Sequence, residues 1–355
     1  MITTSNAQRW ISSVASLVLL VGGSCAASAQ QARLAALPPQ SPIIKELIWA
    51  PKETIHRRAR GGDNWPLTWA DDGHLYTAYG DGNGFEPQTR EKLSLGFARV
   101  EGGPHNFQGI NIRSPSGEDK GDGKAGKKAS GTLMVEGVLY LWIRNADNSQ
   151  LAWSTDHAKT WTWSEWKFTT SFGCPTFLNF GQNYTGARDN FVYVYSQDHD
   201  SAYEPADRMV LARVPKDRIK DRQGYEFFVS INAAGTPTWS QDINERGAVF
   251  TNRGKCYRSG VTYNAGLKRY LWCQILPESK DARGPRFQGG FGVYDAPEPW
   301  GPWTTVFYTD TWDVGPGETS SFPTKWMSAD GKTVYLVFSG DDHFSVRKGM
   351  ITLRD

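Results

Sequence analysis

Along this chain short apolar runs recur between turn-forming residues, some of them alternating apolar with polar positions as strands do. Gly, Asn, Asp and Pro interrupt the runs where turns are needed. Five times an apolar strand, a turn and a second strand containing Tyr follow one another. The first is P-L-T-W-A-D-D-G-H-L-Y-T-A-Y from Pro66, the second G-T-L-M-V-E-G-V-L-Y-L-W from Gly131. The third runs from C-P-T-F-L-N-F at Cys174 to N-F-V-Y-V-Y at Asn190. The fourth is G-V-T-Y-N-A-G-L-K-R-Y-L-W from Gly260, the fifth P-T-K-W-M-S-A-D-G-K-T-V-Y-L-V-F from Pro323. A third strand follows each hairpin, such as L-S-L-G-F-A-R-V ending at Val100. Outer fourth strands can be drawn at Trp161 and Trp303. The repeats predict an all-β fold, a five-bladed β-propeller of antiparallel three- to four-stranded blades. I-I-K-E-L-I-W-A from Ile43 would add an outer strand to the last blade and close the ring. P-K-D-R-I-K-D-R at Pro215 reads as a short charged turn, and Arg113–Gly131 as a polar loop, mobile or folded over one face.

The first residues follow a different logic. Arg9 precedes an apolar run from Ile11 to Val21, and small residues end in Ala27-Ser28-Ala29. That is the pattern of a secretory signal peptide cleaved near Ala29. The expected organisation is residues 1–29 as signal peptide, 30–42 as linker and 43–355 as one propeller domain. Lipid attachment at Cys25 ranks second, because Gly22-Gly23-Ser24 lacks the usual apolar residue three positions upstream. A secreted or periplasmic protein follows, with no transmembrane segment. Removing residues 1–29 leaves 38 Lys/Arg against 37 Asp/Glu, which argues against a nucleic-acid partner. Cys256 and Cys273 flank a turn at Asn264-Ala265-Gly266; they would be either a facing pair able to oxidise or two buried thiols. H-E-x-x-H and paired C-x-x-C spacings are absent, so no metal or cofactor is expected. The chain is expected to act as a monomer.

Candidate chemistry centres on the first hairpin, G-G-D-N-W-P-L-T-W-A-D-D-G-H-L-Y-T-A-Y-G-D-G from Gly61 to Gly82. A turn at Asp71-Asp72-Gly73 pairs residues whose numbers sum to 144, which sets Asp63 opposite Asp81 with Cβ atoms roughly 5 Å apart. Two carboxylates that close repel, and one can hold its proton near neutral pH. That suits the acid and base of glycoside hydrolysis. Residues just before each first strand and just after each second strand share one end of the fold. Trp65, Arg144, Asn145, Asp198, His199, Arg258 and Glu318 are therefore candidate carbohydrate-binding residues beside catalytic Asp63 and Asp81. Trp65, Trp69 and Trp326 lie where a sugar ring could stack, though packing between blades is the commoner use of Trp. Lys124, Lys127 and Lys128 form a small basic cluster, either solvated or touching an anionic glycan. S-T-D-H-A-K-T-W from Ser154 resembles the Asp-box turn S-x-D-x-G-x-T-W, which is structural.

D-N-W-P-L-T-W-A-D-D-G-H-L-Y-T-A-Y-G-D-G, S-A-Y-E-P-A-D-R-M-V-L-A-R-V-P-K-D-R-I and Y-D-A-P-E-P-W-G-P-W-T resemble bacterial exported proteins of domain-of-unknown-function family 4185. The resemblance covers Ile43 to Leu353. It implies a five-bladed propeller, some members being endo-D-arabinanases that use acids at the channel mouth; by that match Asp63 and Asp81 are the pair. The arabinanase-like members continue Gly-Asp with Thr and an aromatic residue, whereas Gly82-Asn83 follow here. The expected function is an exported glycoside hydrolase acting on a poly- or oligosaccharide. The alternatives are a non-catalytic glycan-binding propeller and a polysaccharide lyase using His199 or His105 with a nearby Tyr.

Overall fold

The computed structural model describes residues 37–355, so the signal-peptide expectation and Cys25 lie outside the described residues. Pro39–Asp355 form one compact unit, all-β, with only short 3-10 turns between strands. The strands form four sheets, of five, four, ten and four strands, in which antiparallel meanders follow one another along the chain. The first contains Asp63–Trp69, Leu75–Gly80, Gly96–Glu101 and Gln108–Ile112. The second contains Lys128–Val135, Val138–Arg144, Ser149–Ser154 and Thr162–Phe168. Thr176–Asn179, Phe191–Gln197, Ala206–Pro215 and Glu226–Ile231 make the third. Ser259–Asn264, Arg269–Ile275, Phe291–Ala296 and Thr304–Thr309 make the fourth. The fifth is Ser320–Ser321, Thr333–Phe338 and Phe344–Leu353, completed by Ile44–Trp49 from the other end of the chain.

The core lies between meanders. Leu95, Phe97, Leu139 and Leu141 pack the first against the second. Trp142, Phe177, Val192, Val261 and Trp272 join the second, third and fourth. Leu271, Val293, Leu336 and Leu47 join the fourth and fifth. Leu67, Tyr79, Val337 and Phe344 bring the fifth back onto the first. Middle strands such as Leu75–Gly80 and Arg269–Ile275 are buried on both faces, which explains why they are apolar on both sides, whereas outer strands such as Gln108–Ile112 and Thr162–Phe168 keep exposed positions. The first strands of all five surround a narrow space of about 20 Å³ lined by residues such as Leu67, Thr132, Thr176, Val261 and Ser320. Thr176–Asn179 and Ser259–Asn264 even pair in parallel there, with Leu178 opposite Val261.

Two local expectations need correction, and the open alternative at Cys256 and Cys273 is decided for two buried thiols. The fifth first strand is Ser320–Ser321, not the segment from Pro323; Thr324–Trp326 is a 3-10 turn following a proline with no N–H to give a ladder. Cys256 and Cys273 do not face each other: Cys273 sits opposite Gly260, Cys256 opposite Ala206, and both are buried free thiols. Lys128 is not in a solvated loop but begins a strand and is 2% exposed. The turn from Ser154 forms as the Asp-box resemblance implies. Asp156 accepts from Ser154 Oγ at 2.8 Å, Thr160 N at 2.9 Å and Thr160 Oγ1 at 2.6 Å. Trp161 then stacks on Phe97 with ring centroids 4.9 Å apart.

Candidate active site

Near its turn the first hairpin keeps the expected register, with Leu67 opposite Thr77, Thr68 opposite Tyr76 and Trp69 opposite Leu75. Pro66 cannot donate to the ladder. There two residues, Trp65 and Pro66, oppose the single Ala78, and this bulge shifts the register by one. Asp63 consequently faces Gly80, and Asp81 lies one residue beyond it. The direct Asp63–Asp81 pairing is thus overturned by one proline. The open end of the hairpin is strained: Asn64, Trp65 and Asp81 have φ of 69°, 78° and 48°. Gly80 is required opposite them, since a Cβ there would collide with the Asp63 carboxylate and the Asn64 amide.

Asp63 and Asp81 nevertheless line one cavity of about 650 Å³. Asp63 is 4% exposed. Its Oδ1 accepts from Asn64 Nδ2 at 2.7 Å, and its Oδ2 lies 3.7 Å from Arg286 Nη1. Burial pushes its carboxyl up, the Lys128 ammonium pulls it down and the Asp81 charge pushes it up again, leaving it at about 6. Asp81 makes a close ion pair with the buried Lys128. One wall thus carries a desolvated carboxyl that keeps its proton towards neutrality and a second carboxylate held by an ammonium.

A further acid of the cavity is Glu318. Its Oε2 pairs closely with Arg258 Nη1 and lies 3.2 Å from Arg144 Nη2, while Arg286 Nε is 4.0 Å from Oε1. Arg144 also donates to Asn64 Oδ1 at 2.8 Å. Glu318, Arg144, Asn64 and Asp63 therefore form one chain of polar contacts. Tyr203 and Tyr257 line the cavity, with the Arg258 guanidinium 5.0 and 4.8 Å from their ring centroids. Asp122 and Gly123 bring the polar loop over the mouth, where Asp122 meets Lys92 at 2.6 Å.

Of the residues singled out from sequence, Asp63, Asp81, Arg258 and Glu318 line the cavity together. Arg144, 1% exposed, stands behind Glu318. Asn145 ties the loop down, donating to Gly126 O at 2.8 Å and Tyr203 Oη at 3.1 Å. Trp65 offers no stacking face; it is 1% exposed and packs among Tyr79, Phe85 and Phe344. Trp326 is buried too, against Phe107. Asp198 is held outside the cavity by Arg208 and Arg246, each at 2.6 Å. His199 is exposed, its Nδ1 accepting from Ser201 N at 2.9 Å. Tyr203, Tyr257, Arg283 and Arg286 were missed. Tyr203 and Arg286 sit in long loops after second strands, further along than the rule of adjacency to a strand end reaches. Among the described residues Asp71, Asp72 and His157 could hold a metal ion, but the two aspartates lie in the turn of the first hairpin and His157 in the turn from Ser154, and none of the three lines the cavity.

No family model matches the chain, and no curated protein matches it. Solved structures do resemble it. An α-L-arabinofuranosidase from Podospora anserina in complex with cellotriose is 13% identical, with 90% of this chain and 99% of that one covered and a TM-score of 0.46. A GH43_1 enzyme from Xanthomonas citri complexed with xylotriose is 14% identical over 92% and 96%, at 0.46. The RS223 β-xylosidase is 12% identical over 84% and 98%, at 0.49. At that level nothing about substrate passes to this chain; its own side chains have to carry the functional reading.

Proposed function

We propose that this chain is an exported glycoside hydrolase, built as a five-bladed β-propeller of the family 4185 kind, that cleaves a poly- or oligosaccharide through Asp63 and Asp81. The first strands of successive antiparallel runs, which line one shared space, support the five blades. The observation that carries the activity is the unequal pair on one cavity wall: Asp63 buried and raised to about 6, Asp81 paired with Lys128. Unequal environments are what divide two carboxyls into an acid and its partner. Asp63 gives its proton to the glycosidic oxygen as the C1–O bond breaks. Asp81 takes a proton from the water attacking C1, or attacks C1 itself to form a glycosyl ester, which water deprotonated by Asp63 then cleaves to free Asp81. Tyr203 and Tyr257 supply apolar walls for a ring, and the cavity is of a size usual for small-ligand sites.

The test is digestion of a glycan panel with product analysis, run beside Asp63→Asn and Asp81→Asn. Loss of cleavage in both variants is expected. Wild-type cleavage by both refutes the assignment. Binding of a glycan without release of reducing ends points instead to a binding propeller, and an unsaturated product absorbing in the ultraviolet to a lyase. Product stereochemistry separates the two roles of Asp81.

A further inference from the structure

Asn64 is fully buried between Asp63 and Arg144, and both ends of its amide are hydrogen-bonded. Arg144 Nη2 lies 2.8 Å from Asn64 Oδ1, and Asn64 Nδ2 lies 2.7 Å from Asp63 Oδ1. A guanidinium only donates, so the amide oxygen must face Arg144 and the amide N–H must face Asp63. Arg144 cannot easily leave: it donates to Glu318 Oε2 at 3.2 Å and lies 5.3 Å from the Tyr203 ring centroid. Thr319 Oγ1 donates to the Asn64 carbonyl oxygen, which ties its backbone to the fifth meander. Gly80 leaves room for the amide–carboxyl contact, since a Cβ there would lie 2.6 Å from Asp63 Oδ1. The two oxygens of Asp63 are therefore not equivalent. Oδ1 meets a fixed donor, and the carbonyl oxygen of a neutral carboxyl is a better acceptor than its hydroxyl oxygen. Oδ2 lies 3.7 Å from Arg286 Nη1, a residue of the cavity wall, and at that length has no fixed donor.

We propose that Asn64 is a positioning residue for proton transfer: locked by Arg144, its amide makes Oδ1 of Asp63 the carbonyl oxygen and leaves the proton on Oδ2, towards the cavity; this rests on the acid role of Asp63 given above. The proton leaves Oδ2 for the glycosidic oxygen, and the amide N–H then stabilises the carboxylate that remains. Asn64 has φ of 69°, where glycine is equally at ease, so Asn64→Gly keeps the turn and deletes the amide. Asn64→Asp keeps the shape but offers Oδ1 an acceptor, which draws the proton from Oδ2 to Oδ1. Infrared spectra of each protein are recorded against the same chain carrying Asp63→Asn, from about pH 5 upwards, to isolate the carbonyl stretch of protonated Asp63. In Asn64→Gly the stretch is expected to rise in wavenumber, because the carbonyl loses its donor. In Asn64→Asp the band should persist to higher pH, because a second carboxylate accepts the Asp63 proton and repels its anion. On a cleaved glycan both variants should lose about 10- to 100-fold in kcat with KM changed less than about threefold. Thermal melts show which variants fold, and either one alone decides. A stretch unchanged in folded Asn64→Gly, or a band lost at the wild-type pH in folded Asn64→Asp, overturns the positioning role and leaves the hydrolase standing. No Asp63 band in the wild type overturns the acid role and the positioning role together. Cleavage of no glycan by the wild type, with the spectra changing as expected, overturns the hydrolase and leaves the proton placement.

Discussion

Asp63→Asn should stabilise the protein at neutral pH while abolishing its activity. The substitution keeps size and shape and removes the charge. Asp63 stands at about 6 in the folded chain against an ordinary aspartate value of 3.8. Between those two values the folded state binds more protons than the unfolded one, so stability falls as pH rises from about 4 to about 6 and is level above that. A difference of roughly two pH units corresponds to about 3 kcal/mol. Asp63→Asn escapes this loss. Relative to wild type it should gain about 2 kcal/mol on going from pH 4 to pH 7.5, a change of about 3 °C in Tm for a unit of this size. Comparing the two pH values cancels any constant cost of the amide, such as its altered contact with Arg286. Urea unfolding at both pH values, beside kcat/KM on a cleaved glycan, gives the answer. Activity should fall by about 10²- to 10⁴-fold. A stability difference that is the same at pH 4 and 7.5 refutes the buried, proton-holding carboxyl and with it the acid role.

Three other substitutions probe the remaining assignments. Lys128→Met removes the cation that pulls Asp63 down, so the alkaline limb of the pH–rate profile should move to higher pH; losing the Asp81 pair should cost about 1–3 kcal/mol in denaturant unfolding. Trp65→Ala should cost about 3–5 kcal/mol in stability, as a core residue does. Tyr203→Ala should instead raise KM about 3- to 10-fold with a much smaller loss of Tm; the reverse pattern would restore Trp65 as the sugar platform. Asp156→Ala breaks the Asp-box turn and should cost about 1–3 kcal/mol by calorimetry while leaving KM unchanged.

Strand alternation and turn residues were enough to lay out the meanders, because strand period and turn chemistry are local. The return of Ile44–Trp49 to the last meander was also legible, since that segment had no hairpin partner of its own. Adjacency to strand ends brought Asp63, Asp81, Arg258 and Glu318 to one cavity. The same rule misplaced Asp198 and His199, because position at a strand end does not say which way a loop then folds.

What the chain's own order determined, then, was the strand content and the end of each meander at which ionisable groups gather. Tertiary structure alone decided the one-residue slip at Pro66, the burial that separates Asp63 from Asp81, and the use of Trp65 as core. It alone brought Arg286 to Glu318, beside the Arg144 and Arg258 that strand-end position had already placed at that end of the fold. Desolvation and long-range charge depend on what packs from elsewhere, and no local pattern of residues records that.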